Sequence, residues 1–528
     1  MTELTAASLD ARIAALAARD RGLAAAILKE AVRIPADFVD RSPAQGGDPL
    51  CGLSNHEGPR LETLKKTLVE IGAVRDASDA AYDAFGNLSW TVQDPADGVP
   101  AAEKRVVWFD GHCDTVQALR AQWREKSGGG LDPYLGLVDA KQLDRAFLRH
   151  ELGYLPPDGE WEHLLFGRGA ADQLGGVVAQ MIATRILLEL VPEGALRGVI
   201  VRAWATVAEE DNDGGGPLFI MRRALPGAPP EKVPDVVVLT DSTGDAEHGA
   251  LGIYRGQRGR MQIEVKVTGR SCHGSMPWEG LDPLEHGGAI LAEAARRYEL
   301  REGFAGHAFL GHGTRTASWA ALETPSDCAV PERFRFRFDR RLTIGETPDG
   351  ALADVESLDA VQTARAAGLV VEIGVPVYDR PTWRGATPGN EQIYMGWITP
   401  EDHPAIRAAV AAYRGVVSPQ VATKREHGGS LRREPRVGRW VFSPDGVGYP
   451  VPKCDHSIKV PDRKRWVVSG AVRHPAMLGF GPGIEQNTHK IGECVDLREV
   501  EHAAAFLARF PSVFAALPEE RGRRGATP

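Results

Sequence analysis

The chain has few cysteines, no long apolar run and no excess of positive charge, and each of these absences removes a class of function. Six cysteines (Cys51, Cys113, Cys272, Cys328, Cys454 and Cys494) are scattered over 528 residues, with no Cys-x-x-Cys pair. In a chain this long, that usage points to reduced thiols in a cytoplasmic protein rather than to a disulfide framework. No window approaches the ~20 apolar residues of a membrane span. Met1 to Ala26 is rich in alanine but is broken by Asp10, Arg12, Arg19, Asp20 and Arg21, which argues against a secretory signal. The formal charge is −9, and no basic stripe dominates, so neither a nucleic acid nor an anionic membrane is an expected partner. There is no internal repeat.

What is present is ordinary globular material. Apolar residues make up 43% and charged residues 25% of the chain, and 528 residues are too many for one compact core. Apolar spacing predicts helices over Leu9–Val32, ended by Pro35, and over Arg60–Ile71, closed by Gly72. The Gly/Pro-rich stretch Pro43–Asn55 reads as a loop, and Gly86-Asn87 between apolar runs marks a hairpin or the start of a strand. A buried strand follows at Arg105–Asp110. Trp123–His163 is then a long polar, Gly- and Pro-containing segment, of the kind that is usually functional or mobile. Leu174–Val191 reads as a helix, Val199–Val207 and Val233–Leu239 as strands. Helices alternating with strands that end in acidic residues or histidine indicate an α/β unit with its site at the strands' carboxyl ends.

From Arg258 the pattern changes. Arg260–Thr268 alternates as a strand with one wet face, followed by helix Asp282–Tyr298, strands Thr316–Leu322 and Arg333–Leu342, helix Thr347–Ala367 and strand Leu369–Val375. This β-α-β-β-α-β order is that of a ferredoxin-like unit, with an edge strand free to pair with another chain. Pro381–Gln392 is linker-like, Pro404–Gly415 is helical, Arg432–Pro461 is loop-rich, Val472–Phe480 leads into Gly481-Pro482-Gly483, and Val500–Phe514 closes the chain as a helix. The expected division is therefore 1–258, an inserted 259–380, and 381–528.

The candidates for chemistry gather at the strand ends: His112, Asp114, Asp172, Glu209, Glu210, Asp241 and His489. His112 and Asp114, two residues apart in extended chain, project to the same side, as a ligand imidazole and its supporting carboxylate would. Two histidines with several carboxylates suit Zn²⁺, Mn²⁺ or Co²⁺, and a shared carboxylate is a common way to hold two ions ~3.5–4 Å apart. Adjacent Glu209 and Glu210 face different directions, so one can bind a cation while the other points to water as base. Singly, each residue also has a plain reading: Asp172 as a helix N-cap, Glu209-Glu210-Asp211 as a solvated turn, His489 as a loop histidine, Asp241 as a turn residue. Their conjunction at successive strand exits favours a site.

The segments His112-Cys113-Asp114-Thr115-Val116, Gly167-Arg168-Gly169-Ala170-Ala171-Asp172, Glu209-Glu210-Asp211 and Asp241-Ser242-Thr243 resemble, in order, the motifs of the co-catalytic zinc amidohydrolases. That family contains acetylornithine deacetylase, succinyl-diaminopimelate desuccinylase, aminoacylase and glutamate carboxypeptidase. Gly256-Gln257-Arg258-Gly259 and Cys272-His273-Gly274-Ser275-Met276-Pro277 match its lid domain, and Gly47 to Glu57 is most similar to a selenium-metabolism-linked hydrolase subgroup. The resemblance implies a three-layer α/β catalytic domain with a mixed, mostly parallel sheet, plus an inserted ferredoxin-like βαββαβ lid that also dimerises. It implies two divalent ions, zinc foremost, with cobalt or manganese as substitutes. Asp172 would bridge them, His112 and Asp241 would complete one position, and Glu210 and His489 the other. Asp114 would orient His112. Glu209 would be the general base, and His273, reaching the partner subunit's site, would stabilise the oxyanion. Arg341 would bind a substrate carboxylate. The implied activity is hydrolysis of an amide or peptide bond in an N-acyl amino acid or short peptide, by a homodimer.

The chain also departs from the family pattern. The gap between Asp114 and Asp172 is longer than expected by roughly 20–25 residues, and an excursion of that length leaving the site's rim is expected to shape substrate access. Cys328-Ala329-Val330-Pro331 stands where a lid asparagine is usual, and Asp241 where glutamate is frequent. Lys424–Pro450, with Arg425, Arg432, Arg433, Arg436 and Arg439, is basic: a solvated loop, or an aid to binding an anionic substrate. Gly479-Phe480-Gly481-Pro482-Gly483 lacks the spacing of a dinucleotide loop. From another class, the alternative is a metal-binding, oligomerising protein whose catalytic site has been retired; the intact Glu209-Glu210 pair and His273 speak against it.

Overall fold

The computed structural model describes residues 6–36, 56–128, 130–136, 142–421, 431–455, 465–470 and 474–517. The Gly47–Asn55 motif and the Lys424–Arg425 end of the basic stretch lie outside them.

Strand Arg105–His112 is buried on both faces because its residues divide between two cores. Val107 and Phe109 enter one cluster, Val106 and Trp108 the other, as the period-two geometry of a strand requires. It lies near the centre of an eight-stranded sheet, in the order Ala80–Tyr82, Leu88–Gln93, Val199–Thr206, Arg105–His112, Val236–Leu239, Ala476–Gly479, Ile253–Tyr254, Val437–Gly438. The four central strands run parallel, while Leu88–Gln93 and Ile253–Tyr254 flank them antiparallel. On one face pack helices Ala6–Arg33, Gly175–Glu189, Pro404–Val416 and Leu497–Ala516. The other face is covered by Ile220, Met221 and Leu225, with Trp397, Trp440 and Tyr449. The sheet is thus mixed and mostly parallel, and the fold α/β.

A second, antiparallel sheet follows with its own core. Its order is Thr314–Glu323, Arg333–Leu342, Gly259–Thr268, Val370–Gly374, and the short strand Ile393–Tyr394 returns to pair with Gly259–Thr268. Met261, Ile263, Val265 and Val267 with Phe334, Phe336 and Phe338 form the inner face, against helix Pro283–Glu299 and the pair Pro348–Glu356 and Asp359–Ala366. The single helix expected over Thr347–Ala367 is two, broken at Ser357-Leu358, where Leu358 turns extended and packs into the core. The opposite face carries cross-strand ion pairs, Arg337–Glu264 at 2.8 Å and Lys266–Glu372 at 2.6 Å. Strand Thr314–Glu323 is the open edge, with Trp319 and Leu322 exposed.

The polar excursion after Val116 is not a structureless loop. It folds into helices Arg120–Lys126 and Arg145–Glu151 and a 3₁₀ turn at Asp158–His163. Trp123, Leu148, Leu152 and Trp161 build a small core with Phe166 and Ile491. Widely spaced tryptophans and leucines in a polar stretch concealed this core, because no period joins residues brought together by a turn. Trp161→Ala removes the largest side chain at the distal end of this core. It is expected to open 142–163 to limited proteolysis, at a local cost of about 3–5 kcal/mol, while wild-type protein resists cleavage there. Equal cleavage rates would show that the excursion is not held by its core.

Candidate active site

The central strands end where the candidates are. His112 is the last residue of strand Arg105–His112, Glu209 and Glu210 follow strand Val199–Thr206, and Asp241 follows Val236–Leu239. Parallel strands end together, which brings residues far apart in sequence to one edge. Two ligand candidates come from elsewhere. Asp172 precedes helix Gly175–Glu189, after strand Leu164–Phe166 of a separate two-stranded sheet, and His489 lies ten residues beyond strand Ala476–Gly479. Gly481 makes the return possible: a Cβ there would sit 2.0 Å from the Thr240 carbonyl oxygen, so only glycine lets the turn press against the strand that ends in Asp241.

Asp172 is the centre of the arrangement. Its Oδ1 lies 3.0 Å from His112 Nε2 and its Oδ2 lies 3.1 Å from His489 Nε2. His489 Nε2 is also 3.0 Å from Glu210 Oε2, and His112 Nε2 is 3.8 Å from Glu209 Oε2. Within each of three groups the donor atoms fall inside 4.8 Å: His112–Asp172–Asp241, His112–Glu209–Glu210 and Asp172–Glu210–His489. The structure therefore places the seven candidates together, although Asp172 and His489 do not come from the ends of central strands. Glu209 and Glu210 do not end a strand, as expected, but open a helical turn, Glu209–Asn212, after Ala208 in the left-handed region at φ 64°.

Asp114 has a wider part than support of one ring. Its Oδ1 is 3.3 Å from His112 Nδ1 and accepts the Glu209 N–H at 3.2 Å, while its Oδ2 accepts the Glu210 N–H at 3.0 Å. One carboxylate thus fixes both the imidazole and the glutamate turn. Buried Glu57 accepts the Ala208 N–H at 3.0 Å and holds the turn from behind. Sequence reasoning missed a second device, the buried pair Arg168–Glu493. Glu493 Oε1 accepts the Ala171 and Asp172 N–H groups, both at 3.1 Å, and its Oε2 takes Arg168 Nη1 at 2.6 Å. Arg168 Nη2 in turn donates to the His489 carbonyl at 3.3 Å. Arg168 lay inside a motif already noticed. Glu493, 321 residues past Asp172, gave no signal.

The electrostatics point to cations. Burial, reinforced by the neighbouring Glu210 and only partly offset by His112, raises the Glu209 carboxyl well above its ordinary range. Burial also raises Glu210, against the His489 charge, and raises Asp241 with the charge of Asp172 added. The histidines respond in the opposite sense. Burial works against the charged form of His112, but its hydrogen bonds to Asp114 and Asp172 outweigh that and hold it well above 6.5. For His489, Glu210 and Asp172 likewise overcome burial and push it up to about 12. Four clustered carboxyl groups, whose ion-pair partners among the described residues are two imidazoles, are a donor set that fits divalent cations.

A cleft of about 250 Å³ opens over the cluster, walled by Asp213, Arg260, Arg341, Phe442, Ser443 and Thr488 as well as by the ligand candidates. Arg341 is there, as expected, held by Asp339 at 2.7 Å and by Ser443 Oγ at 3.0 Å. Arg260 beside it, tied to Asp213, Asp339 and Tyr378, had not been singled out. His273 is not brought into the cluster: it sits exposed on the short strand Cys272–His273 and bonds Ser275 through Nδ1. No described residue of 120–163 is among those that wall this cleft. Nor is any described arginine of the basic stretch; Arg436 is spent on Asp245 and Tyr254.

The family model for a peptidase dimerisation domain matches residues 255–360. Protein YgeY of Escherichia coli strain K12 is 32% identical over 408 residues, which cover 77% of this chain and 80% of that protein. The dipeptidase Dug1p of Saccharomyces cerevisiae superposes with a TM-score of 0.62 at 12% identity, covering 98% of this chain and 100% of that one. An M20 family metallo-carboxypeptidase of Sulfolobus solfataricus superposes with a TM-score of 0.57 at 14% identity, covering 92% and 98%. At such identities the two superpositions speak of the fold.

Raised ring pKa values make cation binding compete with protons. At neutral pH the metal-free rings of His112 and His489 hold protons that a bound ion must displace. Zn²⁺ titrated into metal-stripped protein is therefore expected to release protons, and its apparent affinity to rise with pH. Calorimetry in buffers of different ionisation enthalpy measures both. An affinity independent of pH, with no proton release, would contradict the assignment of the two rings as ligands.

Proposed function

Because this chain belongs to the M20 family of metal-dependent peptidases and amidohydrolases, we propose that it is a two-cation hydrolase of an amide or peptide bond in an N-acyl amino acid or short peptide. The observation that carries this reading is the pair of Asp172 oxygens, each directed at a different histidine. A carboxylate so placed serves two ions at once. His112 and Asp241 would hold one, Glu210 and His489 the other. The native ion is zinc, for which cobalt or manganese can substitute. When bound, the ions polarise the scissile carbonyl and acidify water.

The chain's own residues do the remaining work. Glu209 borders the cleft with a carboxyl whose proton affinity burial has raised, which suits a group that accepts and returns a proton. It takes the proton of the attacking water and returns it to the leaving nitrogen. Asp114 keeps that carboxyl in place by accepting the Glu209 N–H. Arg341 and Arg260, at the cleft wall, offer positive charge to a substrate carboxylate. His273 lies outside the cluster of its own chain, and we place it at the oxyanion of the partner's site, in a homodimer formed through the second sheet and its open edge.

Chelation is expected to abolish turnover on a panel of N-acyl amino acids and dipeptides, and Zn²⁺, Co²⁺ or Mn²⁺ to restore it. Glu209→Gln should bind metal normally and lose about 10²–10⁴-fold in kcat. Undiminished turnover by that variant would remove Glu209 from the reaction. The partner role has its own test. Inactive His273→Ala and inactive Glu209→Gln subunits, mixed and allowed to exchange, are expected to recover activity, since one site of each hybrid then has both groups. If hybrids stay inactive while each parent remains dimeric, His273 does not act across the interface.

A further inference from the structure

The excursion between Asp114 and Asp172 stands behind the site, against the segment that carries His489. Lys490 Nζ donates to the Glu151 carbonyl at 2.6 Å. Asn487 Nδ2 donates to the Tyr154 carbonyl at 2.7 Å, and the Tyr154 N–H returns a bond to Asn487 Oδ1 at 3.1 Å. Ile491 and Cys494 are buried in the excursion's core with Trp123, Leu148 and Trp161. The ring of Trp123 lies 5.7 Å from the guanidinium of Arg168, whose own N–H donates to the Pro133 carbonyl and whose side chain reaches the His489 carbonyl. The segment 486–494 is therefore bonded to the excursion on both sides of His489.

His489 needs such help more than the other ligand candidates do. It is a non-glycine residue in the left-handed region, at φ 60°, and its ring is half exposed, at 50%. Nothing in its own stretch is regular except the single 3₁₀ turn Glu485–Asn487 before it. His112, by contrast, ends a parallel strand in the middle of the sheet and is paired with Thr206, and Asp241 stands two residues beyond the neighbouring strand, whose Leu239 is paired with Asp110.

We infer that the 120–163 excursion is a buttress for the His489 loop, which sets how tightly the Asp172–Glu210–His489 position holds its cation while leaving the His112–Asp241 position unaffected. Asn487 and Lys490 are its positioning residues. The inference rests on the two-cation reading above and adds to it a reason for the chain's extra length.

The test is a titration of Co²⁺ or Zn²⁺ alone into the metal-stripped full chain, with wild-type protein, Asn487→Ala/Lys490→Met and Lys490→Arg compared. His489→Ala identifies which of two binding events belongs to the buttressed position. In the double variant that event is expected to weaken by about 10–100-fold, the usual effect of losing groups that orient a ligand, with the other event unchanged. Lys490→Arg, which keeps a donor, should restore most of it. Circular dichroism melting checks that the double variant is folded; if it is not, Lys490→Met alone, at a partly exposed position, reads the same quantity. Two unchanged binding events would overturn the inference, and a change in KM without one in metal affinity would return the excursion to a role in access. Wild-type protein that binds no ion would overturn the two-cation reading itself, and this inference with it.

Discussion

Four carboxyl groups drawn into one buried cluster repel one another, and much of the structure's local design follows from managing that repulsion. In water such groups would separate. Here Asp172, Glu209, Glu210 and Asp241 are held by backbone that cannot retreat, and two imidazoles answer with raised proton affinity. A site that confines like charge stores an attraction for cations, because a divalent ion relieves repulsion and desolvation together. The cost of confinement is borne by the surrounding fold, which has to be rigid where the charges are.

That rigidity comes from three kinds of anchor. In the central sheet His112 is held by pairing with Thr206, and Asp241 follows two residues after strand Val236–Leu239, whose Leu239 pairs with Asp110. Asp114 and Glu57 fix the glutamate turn by accepting the N–H groups of Ala208, Glu209 and Glu210. The buried Arg168–Glu493 pair links the Asp172 backbone to the His489 loop. A buried ion pair is weak support for stability in itself, but breaking one leaves an unpaired charge, so it is an effective way to keep two segments in fixed relation. The second sheet stands apart, with a closed apolar face, a charged face and one open edge, and it delivers Arg260 and Arg341 to the cleft from its strands' ends.

Much of the candidate site was legible in the chain because His112, Glu209, Glu210 and Asp241 follow the carboxyl ends of apolar runs. A run such as Val106–Asp110, ending in Gly111 and then His112, announces both a buried strand and what is presented at its end. The alternation of Met261, Ile263, Val265 and Val267 announced the second sheet in the same way, through residues that had to share one face. What stayed hidden has no local pattern. Glu493, Glu57 and Asn487 act through backbone N–H or carbonyl groups of segments far away in sequence, and a lone polar residue in a loop carries no mark of its future partner. The excursion's core was hidden for a related reason: its tryptophans and leucines are joined by turns, not by a period.

By itself the sequence indicated most of the strands and helices outside the excursion, the succession of an α/β unit and a ferredoxin-like insert, and the residue types that gather in the candidate cation site. These follow from short-range rules of periodicity, capping and strand termination, which each segment obeys alone. Only the tertiary structure decided that Asp172 turns its two oxygens to different histidines, that His273 stays out of its own chain's cluster, and that the excursion bonds to the segment carrying His489. Those outcomes depend on distances between segments tens to hundreds of residues apart. Such distances are fixed by how layers pack, and no stretch of the chain holds that information on its own.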